Sequence, residues 1–192
     1  MNDEPTSLNG IIVRTFEINA STDRVYEAFT NKKDLENWME DHYDIVPRKG
    51  GKFKMGLESD GFVVTGEFLE IVPNEKIVYT WKINEYDQKG RVIPNWSQEK
   101  PTKVTVKFEK NGSKGTKITL THDGFPGKDE QFYMHETGWD LLVGQVLKAY
   151  LEMSPQEYAR WWAKEEPNWD AKWQKITEEK IRTTTAQGLQ KT

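Results

Sequence analysis

The chain has 192 residues, a length that suits one domain with its own core plus an extension. Its 27 basic and 31 acidic residues give a formal charge of −4, so no cationic excess is available to neutralise nucleic-acid phosphates. Cysteine is absent, which excludes disulfides, thiol catalysis and cysteine metal sites. The N-terminus is acidic and has no apolar run, so we expect a cytoplasmic protein with no membrane partner. The net charge predicts that it has no nucleic-acid partner.

The first elements are a strand and two short helices. β-Branched and aromatic residues predict a strand over residues 11–18. Ser21 stands at a helix N-cap position, and Val25 and Phe29 follow at helical spacing, which predicts a helix over about 22–30. Leu35 and Trp38 place a second helix at about 32–38.

Alternating apolar and polar residues then predict a run of antiparallel strands joined by short turns. Gly66 lies inside the longest of them, where it indicates a bulge or a close approach. Residues 85–101 predict a long loop. The strands are expected over about 53–57, 62–72, 77–83, 104–108 and 118–122.

A long amphipathic helix is predicted over about 129–152, with Phe132, Trp139 and Val146 on one row and Val143 on the next. Gly138 and Gly144 each cost helix stability, so we expect a group to approach closely there. His135 is assigned to the surface of this helix.

Beyond the long helix, Ser154, Pro155 and Glu157 form a capping-box pattern. The residues that follow predict a helix to about 166, a break at Pro167 and a final helix to about 181. The predicted organisation is a domain at 11–152, a helical extension at 153–182 packed on or beside it, and flexible tails at 1–10 and 183–192. The extension carries four tryptophans, which predict either packing on the domain or a protein-contact surface: Trp161, Trp162, Trp169 and Trp173.

The order of elements predicts an α+β fold. A meander of strands has one apolar face, and the long helix must bury its own apolar stripe on that face. The expected result is a helix-grip arrangement, in which a curved antiparallel sheet wraps around the long helix and leaves room between them.

Several segments, in this order and at these spacings, resemble the family of homologues of the heat-shock-chaperone ATPase activator, within the START-like (SRPBCC) superfamily. The resemblance covers about residues 11–152 and implies the helix-grip fold. It implies function only broadly, since members range from chaperone regulators to binders of apolar small molecules. The segments are Phe16–Ile18, Val25–Thr30, Leu35 with Trp38, Gly50–Phe53, Gly66–Pro73, Ile77–Trp81, Gly115–His122 and Gly138–Trp139.

The predicted function is binding of a small apolar or aromatic molecule in the cavity between sheet and helix. His122 continues the inward alternation of its strand and is the expected polar tip of the cavity; the rival interpretation is a histidine satisfied by the next turn. The expected walls are core-facing side chains, which could also be plain core: Phe53, Met55, Tyr79, Trp81, Val106, Leu120, Trp139 and Val143.

Two alternatives stay open. The first is a chaperone-regulating interaction module, as the resemblance implies; a full activator is expected to carry a separate N-terminal domain, and the segment before Ile11 is too short for one. The second is a cyclase- or hydrolase-type enzyme that uses the same cavity. No catalytic residue, metal site or cofactor is predicted, so binding is favoured over catalysis. The expected partners are a small hydrophobic molecule or a chaperone.

Overall fold

The computed structural model describes residues 10–95 and 100–189, with side chains described as far as residue 186. Within these ranges the largest element is an eight-stranded antiparallel sheet. The strands are β1 (Ile11–Ile18), β2 (Tyr43–Ile45), β3 (Lys52–Met55), β4 (Phe62–Val72), β5 (Lys76–Tyr86), β6 (Val92–Ile93), β7 (Thr102–Asn111) and β8 (Gly115–Asp123).

The strand order is β1-β8-β7-β5-β4-β3-β2, with β6 paired to the end of β5. Each neighbour from β3 to β8 is reached by a short connection or by the longer β5–β7 segment, so the sheet is the predicted meander. The first strand returns to pair with the last one, with Ile12 opposite His122 and Phe16 opposite Ile118.

The helices form two groups along the chain. The first group, between β1 and β2, is α1 (Thr22–Ala28) and α2 (Lys32–Trp38). The second group begins with α3, which is α-helical over Glu130–Leu141, a π-helix over Leu142–Leu147 and α-helical again over Lys148–Glu152. It continues with α4 (Pro155–Glu165), a 3₁₀ turn (Glu166–Asn168) and α5 (Trp169–Leu189).

The core lies between the sheet and α3. Alternate residues of β5, β7 and β8 are buried, as a sheet with one covered face requires. The predicted stripe of α3 faces them, since Phe132, Trp139, Val143 and Val146 are buried. The α+β helix-grip arrangement is therefore confirmed.

Close approaches explain three of the glycines. An added Cβ at Gly66 would lie 2.3 Å from the Phe53 ring and 2.0 Å from a backbone oxygen of β5, so the predicted close approach is confirmed. At Gly138 it would lie 2.4 Å from the Trp173 ring, and at Gly144 3.2 Å from the Phe16 ring.

The extension lies against α3. Trp173 of α5 donates its indole N–H to the Met134 carbonyl oxygen at 3.1 Å. Lys180 forms ion pairs with Glu136 (3.1 Å) and Asp140 (2.8 Å) of α3. Arg14 of β1 pairs with the same two carboxylates, so one charged cluster joins the extension, the long helix and the sheet.

The structure differs from the sequence-based expectations in some short elements. The strands β2 and β6 were not predicted; β6 lies inside the predicted loop and pairs with residues 85–86 of β5. The helix α1 ends at Ala28, and Ser21 occupies its N-cap without a side-chain cap hydrogen bond. The capping box of Ser154 and Glu157 is present as predicted.

The last helix extends further than predicted. Hydroxyls of Thr183, Thr184 and Thr185 each donate to the carbonyl four residues earlier, and the helix continues to Leu189 rather than ending near 181. The predicted flexible tails fall partly on residues 1–9 and 190–192, which lie outside the described residues. Among the described helices, none is long and apolar enough to cross a bilayer.

Candidate functional site

A cavity of about 840 Å³ lies where β3, β4 and β5 face α2, α3 and the extension. The sheet contributes Met55, Val64, Trp81 and Ile83, and α3 contributes Trp139, Leu142 and Val146 among others. The extension closes the remaining side. The volume is within the range of roughly 300–1,000 Å³ typical of small-molecule sites.

Six tryptophans line this cavity and are called here the tryptophan wall. Trp81 and Trp139 face each other across the sheet–helix junction with ring centroids 5.4 Å apart. Trp162 and Trp169 pack edge to face at 5.3 Å. The complete set is Trp38, Trp81, Trp139, Trp162, Trp169 and Trp173, of which the last three belong to the extension.

The structure separates the nine predicted site residues into two groups. Met55, Trp81 and Trp139 line the cavity. The others pack behind its wall in the hydrophobic core and are at most 5 % exposed, so their contact with a ligand stays a prediction: Phe53, Tyr79, Val106, Leu120, His122 and Val143.

His122 points to the buried face, as predicted, and joins three elements. The Trp139 indole N–H donates to His122 Nδ1 at 3.1 Å. An indole nitrogen only donates, so Nδ1 must be unprotonated and the proton lies on Nε2. Nε2 then donates to the Thr102 hydroxyl at 2.7 Å, and that hydroxyl donates to the Trp81 carbonyl oxygen at 3.1 Å.

His135 contradicts the surface assignment. The Trp81 indole N–H donates to its Nε2 at 3.0 Å, and its Nδ1 donates to the Gln131 carbonyl oxygen at 2.7 Å. The side chain is half-buried and lines the cavity. The sequence did contain the signal: His135 stands three residues after Phe132 and four before Trp139, between the two on the same helical face.

Burial sets the charge of both histidines. It lowers the pKa of His122 well below its ordinary value, and the nearby His135 adds to the effect. It also lowers the pKa of His135 to about 4. Both rings are therefore neutral near pH 7. All four ring nitrogens have hydrogen-bond partners within the protein.

Nine carboxylates also line the cavity and are called here the acidic rim. Six of them are exposed, which places them where the cavity meets solvent, and no lysine or arginine of residues 10–95 and 100–189 lines it. Burial raises the pKa of Glu40, and the negative charges of Asp41 and Asp60 add to the rise. The rim is Glu36, Glu40, Asp41, Asp60, Glu85, Glu130, Glu166, Asp170 and Glu178.

The rim does not have the arrangement of a metal centre. In the described part of the chain, no group of three or more histidine, aspartate or glutamate side chains is placed to hold a metal ion. The site therefore consists of an aromatic interior with anionic groups at its opening.

A family model described as "Activator of Hsp90 ATPase homolog 1-like protein" matches residues 19–152. The human activator of 90 kDa heat shock protein ATPase homolog 1 is 26% identical over 129 residues, which are 67% of this chain and 33% of that protein. The chain thus spans about a third of the length of this curated relative.

Solved structures share the fold. CalU16 from Micromonospora echinospora is 17% identical with a TM-score of 0.60, and the match covers 92% of this chain and 86% of that one. The Aha1 dimer from Colwellia psychrerythraea is 18% identical, with a TM-score of 0.61 and coverages of 76% and 98%. An HSP90 activator from Plasmodium falciparum is 23% identical, with a TM-score of 0.54 and coverages of 70% and 96%.

Proposed function

The chain belongs to the family of activator of Hsp90 ATPase homolog 1-like proteins, and from this premise we propose that it binds a small apolar or aromatic molecule in the cavity between its sheet, α3 and the extension. One observation carries the proposal, namely a cavity of about 840 Å³ lined by six tryptophans. An aromatic body placed there gains apolar burial and ring contacts on several sides.

The hydrogen-bond chain through the histidines supports the same proposal. The indole nitrogens of Trp81 and Trp139 are held by His135 and His122, which fixes the orientation of two rings of the tryptophan wall. A wall whose side chains are already ordered loses little conformational freedom when a ligand enters.

The test is a titration with 4-neopentylbiphenyl, a neutral aromatic probe, followed through tryptophan fluorescence. Two adjacent tryptophans of α4 provide a matched pair, since Trp162 lines the cavity and Trp161 does not. Both are half-buried. We expect Trp162→Ala to weaken binding about tenfold because it removes one ring of the wall, and Trp161→Ala to leave the affinity unchanged. Equal effects of the two substitutions would place the probe outside the cavity.

A chaperone-regulating role is the second candidate, favoured by the curated relative whose name states that activity. The chain matches only a third of that relative, so the relative's activity has to be tested on this chain itself. Addition of the protein to an Hsp90-type chaperone should accelerate ATP hydrolysis if the role applies. An unchanged rate over a range of protein concentrations would count against it.

The enzyme alternative has the weakest support. His122, the expected polar tip of the cavity, is fully buried, and its two ring nitrogens are engaged by Thr102 and Trp139. A substrate in the cavity would meet the indole of Trp139 rather than the imidazole behind it.

A further inference from the structure

The charge of the cavity lining differs sharply from that of the whole chain. The chain is nearly balanced, with 27 basic and 31 acidic residues. The lining contains the nine carboxylates of the acidic rim and, within the described residues, no lysine or arginine. The overall composition therefore does not explain why all the charged side chains at the cavity opening are negative.

Most of the rim lacks a protein cation. Glu36 pairs with Lys32 at 2.7 Å. Glu85 accepts a hydrogen bond from Gln131, and Glu178 accepts one from Gln174. For the other six carboxylates, no ion pair with a lysine or arginine occurs within residues 10–95 and 100–189. A concave surface with unneutralised charge of one sign concentrates the potential and attracts the opposite ion.

The aromatic interior of the cavity also favours a positively charged ligand. Indole is the best aromatic partner for a cation, because the face of the ring carries partial negative charge. The tryptophan wall offers such rings next to the rim, and over one of them, Trp169, the Lys172 ammonium already lies 5.2 Å from the ring centroid. The site also holds an unused polar group, since Thr177 lines the cavity, is 5 % exposed, and has a hydroxyl with no hydrogen-bond partner among the described residues.

We propose that the cavity selects an organic cation, that is, an amine or quaternary ammonium group carried on an apolar or aromatic body. This inference rests on the proposed function, since it names the class of ligand for the same cavity. The body lies against the tryptophan wall, and the charged head lies at the acidic rim. A ligand with a negative head is repelled by the same carboxylates.

The experiment compares three ligands of the same shape and different charge. They are 4-biphenylmethyl-trimethylammonium, neutral 4-neopentylbiphenyl and 4-biphenylmethanesulfonate, whose heads are all tetrahedral. Each is titrated into the full chain at low and at high salt. We expect the cation to bind about tenfold more tightly than the neutral probe and the sulfonate to bind most weakly. Added salt should weaken binding of the cation and leave the neutral probe unaffected.

Paired substitutions locate the effect. Glu40→Gln with Asp60→Asn removes two rim charges, whereas Glu17→Gln with Glu75→Gln removes two exposed charges outside the cavity. The rim variant should lose about threefold or more in affinity for the cation and none for the neutral probe, and the outside variant should match the parent protein. Thermal unfolding of both variants verifies that each is folded.

The outcomes separate the two proposals. If the neutral probe binds as tightly as the cation, or if the rim variant weakens both equally, the selection of cations is wrong and the binding function remains. If none of the three probes binds, both proposals fail. Tighter binding of the sulfonate would also overturn the inference.

Discussion

Two neutral histidines carry the polar contacts across the core. Each accepts an indole N–H through one ring nitrogen and donates through the other, so two tryptophans, two histidines and Thr102 are all satisfied. Protonation of either ring would place two N–H groups against each other in a buried setting, where an unpaired donor costs about 1–3 kcal/mol. The network therefore stabilises the neutral form of both rings.

This arrangement predicts acid sensitivity. Both folded-state pKa values lie below the ordinary histidine value of about 6.5, so the unfolded chain binds more protons and stability falls as pH drops below about 6.5. For His135 the loss continues to about pH 4. Between pH 7 and pH 5.5 we expect the free energy of unfolding, measured with urea, to decrease by about 2 kcal/mol in all.

The third histidine provides the control. His42 is exposed and takes no part in the hydrogen bonds described above, so His42→Gln is the comparison variant. His122→Gln should lose about half of the pH dependence of stability, since one of the two titrating groups is gone. A parent protein as stable at pH 5.5 as at pH 7 would contradict the neutral network.

At the scale of elements, the close contact between α3 and α5 requires a glycine at position 138. Gly138 lets the Trp173 ring lie directly on the helix backbone, and the indole N–H then reaches the Met134 carbonyl. Glycine costs a helix about 1 kcal/mol relative to alanine, so its presence has a local cost that this packing offsets.

Gly138→Ala tests that balance. The new Cβ would lie 2.4 Å from the Trp173 ring, so the ring must leave its place in the tryptophan wall. After the gain in helix propensity, we expect a net loss of about 1 kcal/mol in unfolding free energy and weaker binding of 4-biphenylmethyl-trimethylammonium. Gly127→Ala is the control, because nothing lies within 4 Å of its added Cβ. Unchanged stability and affinity in Gly138→Ala would refute the contact.

The elements predicted correctly from sequence are those with local signals. Alternation revealed the long strands, and Ser154 with Glu157 marked the start of α4. The strands β2 and β6 are three and two residues long, too short for a period to show. The π-helical segment, Leu142–Leu147, also has no periodic signature in the sequence, and its Gly144 lies against the Phe16 ring.

At the scale of the whole molecule, the cavity depends on contacts between distant parts of the chain. The sequence predicted Trp81 and Trp139 as walls of one cavity, because Trp81 lies on the inward row of its strand and Trp139 on the apolar stripe of α3, and their ring centroids lie 5.4 Å apart. It did not predict that Trp162, Trp169 and Trp173 complete the same cavity, because α5 is docked by contacts between residues far apart in the chain, such as Lys180 with Asp140. Contacts between side chains that are distant in the chain produce no periodic pattern in the sequence.

Amide hydrogen exchange should show that a bound ligand stabilises α5 of the extension. The helix α5 contacts the domain along one side, whereas β7 and β8 lie inside the sheet. Saturation with 4-biphenylmethyl-trimethylammonium should therefore slow exchange in residues 169–182 more than in β7 and β8, since a bound molecule adds contacts to the less stable element. Equal slowing across the chain, or none in α5, would show that the extension does not contact the probe.

Half of the tryptophan wall lies beyond residue 152, outside the segment that the family model matches. Under the proposed binding function, substitutions at Trp162, Trp169 or Trp173 would alter the size and shape of the accepted ligand without disturbing the hydrogen bonds between strands. Variation of one terminal segment would then change specificity while the sheet and α3 stay the same.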